Sequence, residues 1–192
     1  MYRQSALKFS IALFFLLTMM MMAPMTEPLA ETPADPENTL YLDLKDGRVT
    51  IEMRPDLAPK HVARIKELVR EGFYDGIVFH RVIGGFMAQA GDPTGTGSHG
   101  SGQNIDAEFS DEPHVRGIVS MARRGGDINS ADSQFFIVYA RARNLDGQYT
   151  VWGRVTDGMP AVAKIKRGAQ GSGQVSDPDK IIRMQVAADV KE

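Results

Sequence analysis

A chain of 192 residues, 43% of them hydrophobic, is long enough to bury one sizeable core. Its 22 basic and 24 acidic residues leave a net charge of −2, which argues against the basic face that nucleic acid requires, so no nucleic-acid partner is expected. The absence of cysteine excludes disulfides, thiol catalysis, cysteine-held metal and a lipid-modified cysteine anchor.

Arg3 and Lys8 precede an apolar run over residues 9–23, which Pro24 and polar residues follow. This pattern predicts a secretory signal peptide over residues 1–30. The run is shorter than the roughly 20 residues of a comfortable membrane span. Ala30 is one expected end of the leader and Ala23 another. Export is therefore expected. A retained leader anchoring the chain to the inner membrane is the alternative, and the only membrane contact foreseen. Residues 31–38, ETPADPEN, have no apolar period and read as a flexible linker, leaving 39–192 as one domain.

Leu40, Leu42 and Leu44 alternate with polar positions, as do Val49, Ile51 and Met53, with Asp46-Gly47 between them. This spacing predicts a β-hairpin. Pro59 opens a helix whose apolar stripe is Val62, Ile65, Leu68 and Val69, closed by Gly72. His61 falls outside the stripe and is expected at the solvated surface. Residues 73–90 read as two short strands around a Gly84-Gly85 turn. Residues 91–103, rich in glycine and serine, predict a long surface loop in which His99 is solvated. Further strands are expected over 117–122, 134–139, 149–155 and 181–186, and a short helix over 159–165. Many short strands with two helices suggest an antiparallel barrel, with a sandwich as the other arrangement the pattern allows.

Familiar catalytic patterns are poorly supported. Ser120, His80 and Asp92 lack a nucleophile-elbow motif. His80, His99 and His114 have no standard zinc spacing, so no metal and no cofactor are expected. The glycines near Thr96 lack the Gly-Lys-Ser/Thr of a phosphate loop.

Residues 79–92, FHRVIGGFMAQAGD, set His80, Arg81 and Gln89 among apolar neighbours; residues 133–137 read SQFFI, and residues 144–153 NLDGQYTVWG. These three blocks, in this order, resemble the signatures of the cyclophilins, the cyclosporin-binding class of peptidyl-prolyl cis-trans isomerases. The resemblance runs from about Thr39 onward. It implies a mostly β fold, a closed eight-stranded antiparallel barrel capped by two α-helices, acting on proline-containing peptides and unfolded exported proteins as a monomer.

By the same resemblance Arg81 is the catalytic guanidinium, with Gln89 and His80 grouped with it. Phe86, Met87, Phe136 and Leu145 match the walls of the proline pocket. Phe79, Ala122, Arg123, Gln134 and Tyr149 match neighbouring substrate positions. The chemistry agrees with this list. Rotation about an X–Pro bond is opposed by amide resonance, a barrier of about 18–20 kcal/mol. Twisting leaves the proline nitrogen pyramidal and more basic, so a fixed cation that donates toward it stabilises the twisted state over the planar one. Taken singly, Phe86, Met87 and Phe136 read as core residues, and Arg81 reads as readily as half of a structural ion pair; it is the three blocks together, in this order, that favour the site.

Two departures stand out. Asn144 replaces the tryptophan common in the family before Leu145, which predicts weak inhibition by a cyclosporin-type ligand. Arg123 stands where many members have asparagine, and residues 123–132 form a slightly longer segment than usual. Both departures resemble bacterial cyclophilins of the cell envelope, consistent with a periplasmic location. The competing reading is a peptide-binding or chaperone module whose isomerase activity is incidental.

Overall fold

A computed structural model describes residues 35–191. The expected leader lies outside the described residues. The expected linker is described only from Asp35, and there it is fastened down. Residues Pro36–Asn38 form a 3-10 turn capped by the Asp35 side chain. Glu37 reaches Arg70 at 3.0 Å.

Eight strands follow in the order β1 (Thr39–Leu44), β2 (Gly47–Met53), β3 (Arg81–Ile83), β4 (Met87–Ala90), β5 (Ile118–Met121), β6 (Phe135–Val138), β7 (Val151–Asp157) and β8 (Arg183–Val186). Two helices, α1 (Pro59–Arg70) and α2 (Met159–Ala163), complete the fold. All ladders are antiparallel, in the spatial order β3-β4-β6-β5-β7-β2-β1-β8. The β1–β2 hairpin pairs Leu44 with Gly47, so its turn is Lys45-Asp46, one residue earlier than the Asp-Gly pair suggested.

Closure of the barrel differs in detail from the expectation. Edge strands β3 and β8 share no ladder. The segment leading into β8 bridges them instead. The amide of Val82 donates to the Gly173 carbonyl at 2.7 Å and that of Val175 to His80 at 3.0 Å. Isolated bridges join Arg81 to Gln174 and Val78 to Lys180. The sheet is therefore a curled half-barrel rather than a closed one, and its edges are linked only through irregular chain.

Strands β4, β5 and β6 are buried along nearly their whole length because both faces are covered. Their inward side chains, including Ala88, Ala90, Val119, Phe135 and Ile137, join the main core with Leu40, Ile51 and Trp152. Their outward ones, Met87, Ile118, Phe136 and Val138, form a second apolar cluster with Leu145 and Val151. Period-two alternation thus serves two cores, with Gln89 and Ser120 the polar residues these strands place on the outward face.

Helix α1 buries Val62, Ile65, Leu68 and Val69 as its spacing predicts; each such burial is worth about 1.5–3 kcal/mol. His61 is not at the surface but fully buried. The cause lies far along the chain. Ala58, at the helix N-cap, offers no capping side chain. Glu108 supplies the cap, accepting from the amides of Lys60 and His61, both at 3.0 Å. The same carboxylate lies 2.7 Å from His61 Nδ1, drawing the ring inward.

Candidate active site

The outward cluster opens into a hollow of about 250 Å³, lined by Arg81, Phe86, Met87, Gln89, Phe136 and Leu145 together with Ala122, Arg123, Asn144 and Tyr149. Sheet register explains the gathering. Arg81 pairs with Gln89 across β3–β4, Gln89 with Phe136 across β4–β6, and Phe136 with Ser120 across β6–β5. Directly opposed residues point to one face, so a single row of cross-strand neighbours carries cation, amide and ring to the same side.

The turn that separates Arg81 from Met87 depends on Gly85, whose φ of +76° favours glycine. Beyond β4, Gly91 lets the chain pass close to β6. A Cβ there would lie 2.3 Å from the Ser133 carbonyl oxygen.

Arg81 is held by a directional chain of hydrogen bonds. Its Nη1 donates to Gln89 Oε1 at 3.2 Å, and Gln89 Nε2 donates to Gln134 Oε1 at 2.9 Å. Gln134 Nε2 in turn donates to the carbonyls of Gly97 at 3.1 Å and His99 at 2.8 Å. Each amide accepts on oxygen and donates on nitrogen, which fixes both orientations. Arg81 Nε also donates to the Ser172 carbonyl at 3.2 Å. No carboxylate among the described residues pairs with Arg81, so the structural ion pair considered for it is not formed among them.

Phe136 is braced from two sides. Tyr149 meets it edge-on, centroids 5.5 Å apart. His114 stacks nearly parallel to it at 6.2 Å. His114 is itself tied at both nitrogens, Nε2 to Ser120 Oγ at 2.9 Å and Nδ1 to Asp146 at 3.2 Å. These three residues make a Ser–His–Asp series that the spacing of the sequence does not reveal. Ser120 and His114 are fully buried, so no substrate reaches the hydroxyl, and the series acts as a brace. Burial pushes the His114 imidazole below its ordinary pKa despite Asp146. The Arg141 guanidinium, helped by the His114 amide, holds Asp146 well below the usual carboxylate range.

A second hollow of about 400 Å³ adjoins the first, and Gln89, Ala122 and Arg123 line both. Its far wall is the 91–103 loop, folded around two carboxylates. Asp92 accepts from the amides of Thr94 (2.7 Å), Gly97 (2.6 Å) and Ser98 (2.9 Å). Asp132 accepts from those of Ser101 (2.9 Å) and Gly102 (2.8 Å). Burial opposes ionisation of Asp92, yet the hydrogen bonds from Thr94, His99 and Gly97 prevail and hold its carboxyl well below the ordinary range. His99 is exposed in this loop, as expected.

Two residues grouped with the site by resemblance do not line either hollow. Phe79 is fully buried in the main core. His80 is 7% exposed, and neither ring nitrogen has a hydrogen-bond partner among the described residues. Its ring lies beneath the loop at Gly97, where an added Cβ would approach it to 3.2 Å. Burial lowers the His80 pKa, partly opposed by Asp92. Any influence of these two on a ligand is indirect. No cluster of metal-ligating side chains occurs among the described residues.

Comparison with known proteins gives the family. The family model described as cyclophilin-type peptidyl-prolyl cis-trans isomerase matches residues 39–186. A probable peptidyl-prolyl cis-trans isomerase of Brucella suis is 55% identical over 171 residues, covering 82% of this chain and 87% of that protein. Among solved structures, a cyclophilin from Hirschia baltica superposes with a TM-score of 0.74 at 30% identity, covering 82% of this chain and 77% of that one. A Cryptosporidium parvum cyclophilin-type isomerase, crystallised in the presence of the dipeptide Ala-Pro, gives a TM-score of 0.70 at 29% identity, covering 77% and 98%. With a curled eight-stranded sheet, two helices and a match spanning nearly the whole described domain, this chain belongs to the cyclophilin-type peptidyl-prolyl cis-trans isomerases.

Proposed function

We propose that the hollow beneath Arg81 receives the prolyl ring of a peptide and that Arg81 drives rotation of the preceding bond. The observation that carries this reading is the placement of the Arg81 guanidinium, aimed by Gln89 and with no carboxylate partner among the described residues, beside a hollow whose apolar walls are Phe86, Met87, Phe136 and Leu145. The ring enters the apolar space, which disfavours the more polar planar amide. The guanidinium donates toward the proline nitrogen as it pyramidalises, and Gln89 keeps the donor aimed. No covalent bond forms or breaks, and no proton is transferred. The Cryptosporidium relative crystallised with Ala-Pro supports a proline-containing peptide as the ligand.

The expected outcome for Arg81→Ala is a loss of about 10²-fold or more in kcat/KM, the usual scale for removing one aimed donor. A protease-coupled peptide assay or a proline-limited refolding assay measures it. Turnover within a few-fold of the parent would remove Arg81 from this role.

The biological setting we propose is the folding of exported proteins. Its support is the sequence of residues 1–30 and the slowness of unaided proline isomerisation, tens to hundreds of seconds. Mass spectrometry of the mature N-terminus tests it, and an intact Met1 on protein isolated from the cell would count against cleaved export. Asn144 in the lining of the hollow supports weak binding of cyclosporin-type ligands with isomerase activity retained. Inhibition as tight as that of tryptophan-bearing relatives in a parallel titration would contradict this.

A further inference from the structure

We infer that the substrates this chain prefers carry an acidic side chain within about three residues of the proline, held by Arg123. The inference rests on the placement of the prolyl ring proposed above and adds a charge requirement to it.

Arg123 is half-buried and lines both hollows. Its guanidinium is pinned by neutral groups. Nε donates to the Gln148 carbonyl at 2.9 Å, and Nη1 donates to the Arg124 carbonyl at 3.2 Å. The cation also stands 5.0 Å from the centroid of the Tyr149 ring. Among the described residues, Nη2 has no hydrogen-bond partner, and no carboxylate comes within ion-pair distance of the side chain. A guanidinium already ordered in this way loses little further freedom on meeting a carboxylate, and gains a charge-assisted hydrogen bond.

The neighbouring charges favour the same ligand. Arg81 also lacks a carboxylate partner among the described residues. Arg124, which lines the second hollow, meets only Asp127, at 3.8 Å. The one carboxylate lining either hollow is Asp132, and it is occupied by the Ser101 amide and hydroxyl and the Gly102 amide. A substrate carboxylate therefore enters a field of three guanidiniums, of which Arg124 is partly offset by Asp127, and one committed carboxylate, whereas a substrate lysine is repelled. Distance sets the position. The two hollows share Gln89, Ala122 and Arg123, and an extended peptide advances about 3.3–3.6 Å per residue. A side chain one to three residues from the proline thus spans from one hollow to the other.

The test is a set of peptides with a central Ala-Pro in which a single Glu or Gln is moved through the three positions on each side. Catalysed exchange is measured by NMR, which avoids the specificity of a coupling protease. At about 20 mM salt, Glu is expected to exceed Gln in kcat/KM by roughly five- to tenfold at one of these positions, the scale of a single well-placed ion pair. At about 500 mM salt the ratio shrinks toward one. In Arg123→Gln it falls to about one at low salt, and Arg123→Lys restores part of it. The ratio is internal to each variant, so differences in folded fraction cancel. A Glu/Gln ratio within about twofold at every position, or a preference that survives unchanged in Arg123→Gln, overturns the inference. If that happens while Arg81→Ala is inactive, the charge requirement falls alone. If Arg81→Ala is fully active, the placement on which it rests falls with it.

Discussion

Arg81 and Arg123 line the same hollow and carry the same charge, but their anchors differ. Arg81 is aimed by an amide, Gln89, that can follow small movements of its donor; Arg123 is pinned against backbone carbonyls and the Tyr149 ring. Removing the amide is expected to loosen Arg81 without removing its charge. Gln89→Leu should therefore lower kcat/KM by roughly 10–100-fold, the range for a hydrogen bond to a charged group, while leaving urea denaturation nearly unchanged. Equal activity in the two proteins would show that Arg81 needs no such partner. At this scale the sequence was informative wherever a residue's role depends on its own block. Arg81, Phe86, Met87 and Gln89 lie within nine residues of one another, and the structure gathers all four. His80 sits in that block too, yet it precedes β3 and its ring packs beneath the loop at Gly97. His61 was misjudged for another reason. It stands four residues before Ile65 and seven before Leu68, so helical spacing in fact puts it on the buried face, and the carboxylate that pairs with its ring arrives from Glu108, 47 residues later.

Among the elements, α1 shows most clearly what a pattern misses. Its stripe and its proline start were legible, but its cap was not, because nothing local marks Glu108 as the acceptor for two amides at the helix start. Glu108→Ala should leave those amides and the His61 ring without their acceptor. The expected cost is about 1–3 kcal/mol of unfolding free energy, from the lost cap and an unpaired buried group. Urea denaturation measures it, and a change below about 0.5 kcal/mol would show that water replaces the carboxylate freely. Strands β5 and β6 were legible as apolar runs. Their two-sided burial was not, since one sequence run cannot say which alternate positions serve the main core and which form the wall of a hollow. The brace behind Phe136 was hidden for the same reason. His114, Ser120 and Asp146 come from a loop, a strand and a turn, and only the folded chain brings them within hydrogen-bonding distance.

The molecule as a whole holds three imidazoles, those of His61, His80 and His114, in burial that lowers their pKa values. The sign of the consequence is fixed by linkage. The unfolded chain takes up these protons as pH falls through about 6.5, and the folded chain resists them until lower pH. Stability is therefore full above that point and declines below it. Asp92, Asp146 and Glu108, whose carboxyls are lowered by their hydrogen bonds, add a second loss below the ordinary carboxylate range. Urea denaturation at pH values from about 7.5 to 5.5 should show net proton uptake on unfolding of one to three. The fluorescence of Trp152, the single tryptophan and fully buried, is a suitable signal. A pH-independent midpoint across that window would contradict the burial of these rings. The linking of the sheet edges is also a property of this scale. Strand count was readable, but linkage through the 168–181 segment depends on single bridges that leave no periodic trace.

The claim that joins the three scales is that Arg81, suspended over an apolar hollow, speeds rotation of a bound prolyl bond. Two-dimensional NMR exchange on an Ala-Pro peptide, with the parent protein and with Arg81→Ala at equal substoichiometric concentration, tests it without any coupled reaction. The account predicts cis–trans exchange peaks at short mixing times for the parent. For Arg81→Ala it predicts binding shifts but catalysed exchange slower by about 10²-fold or more. Matching exchange peaks in both samples would contradict it.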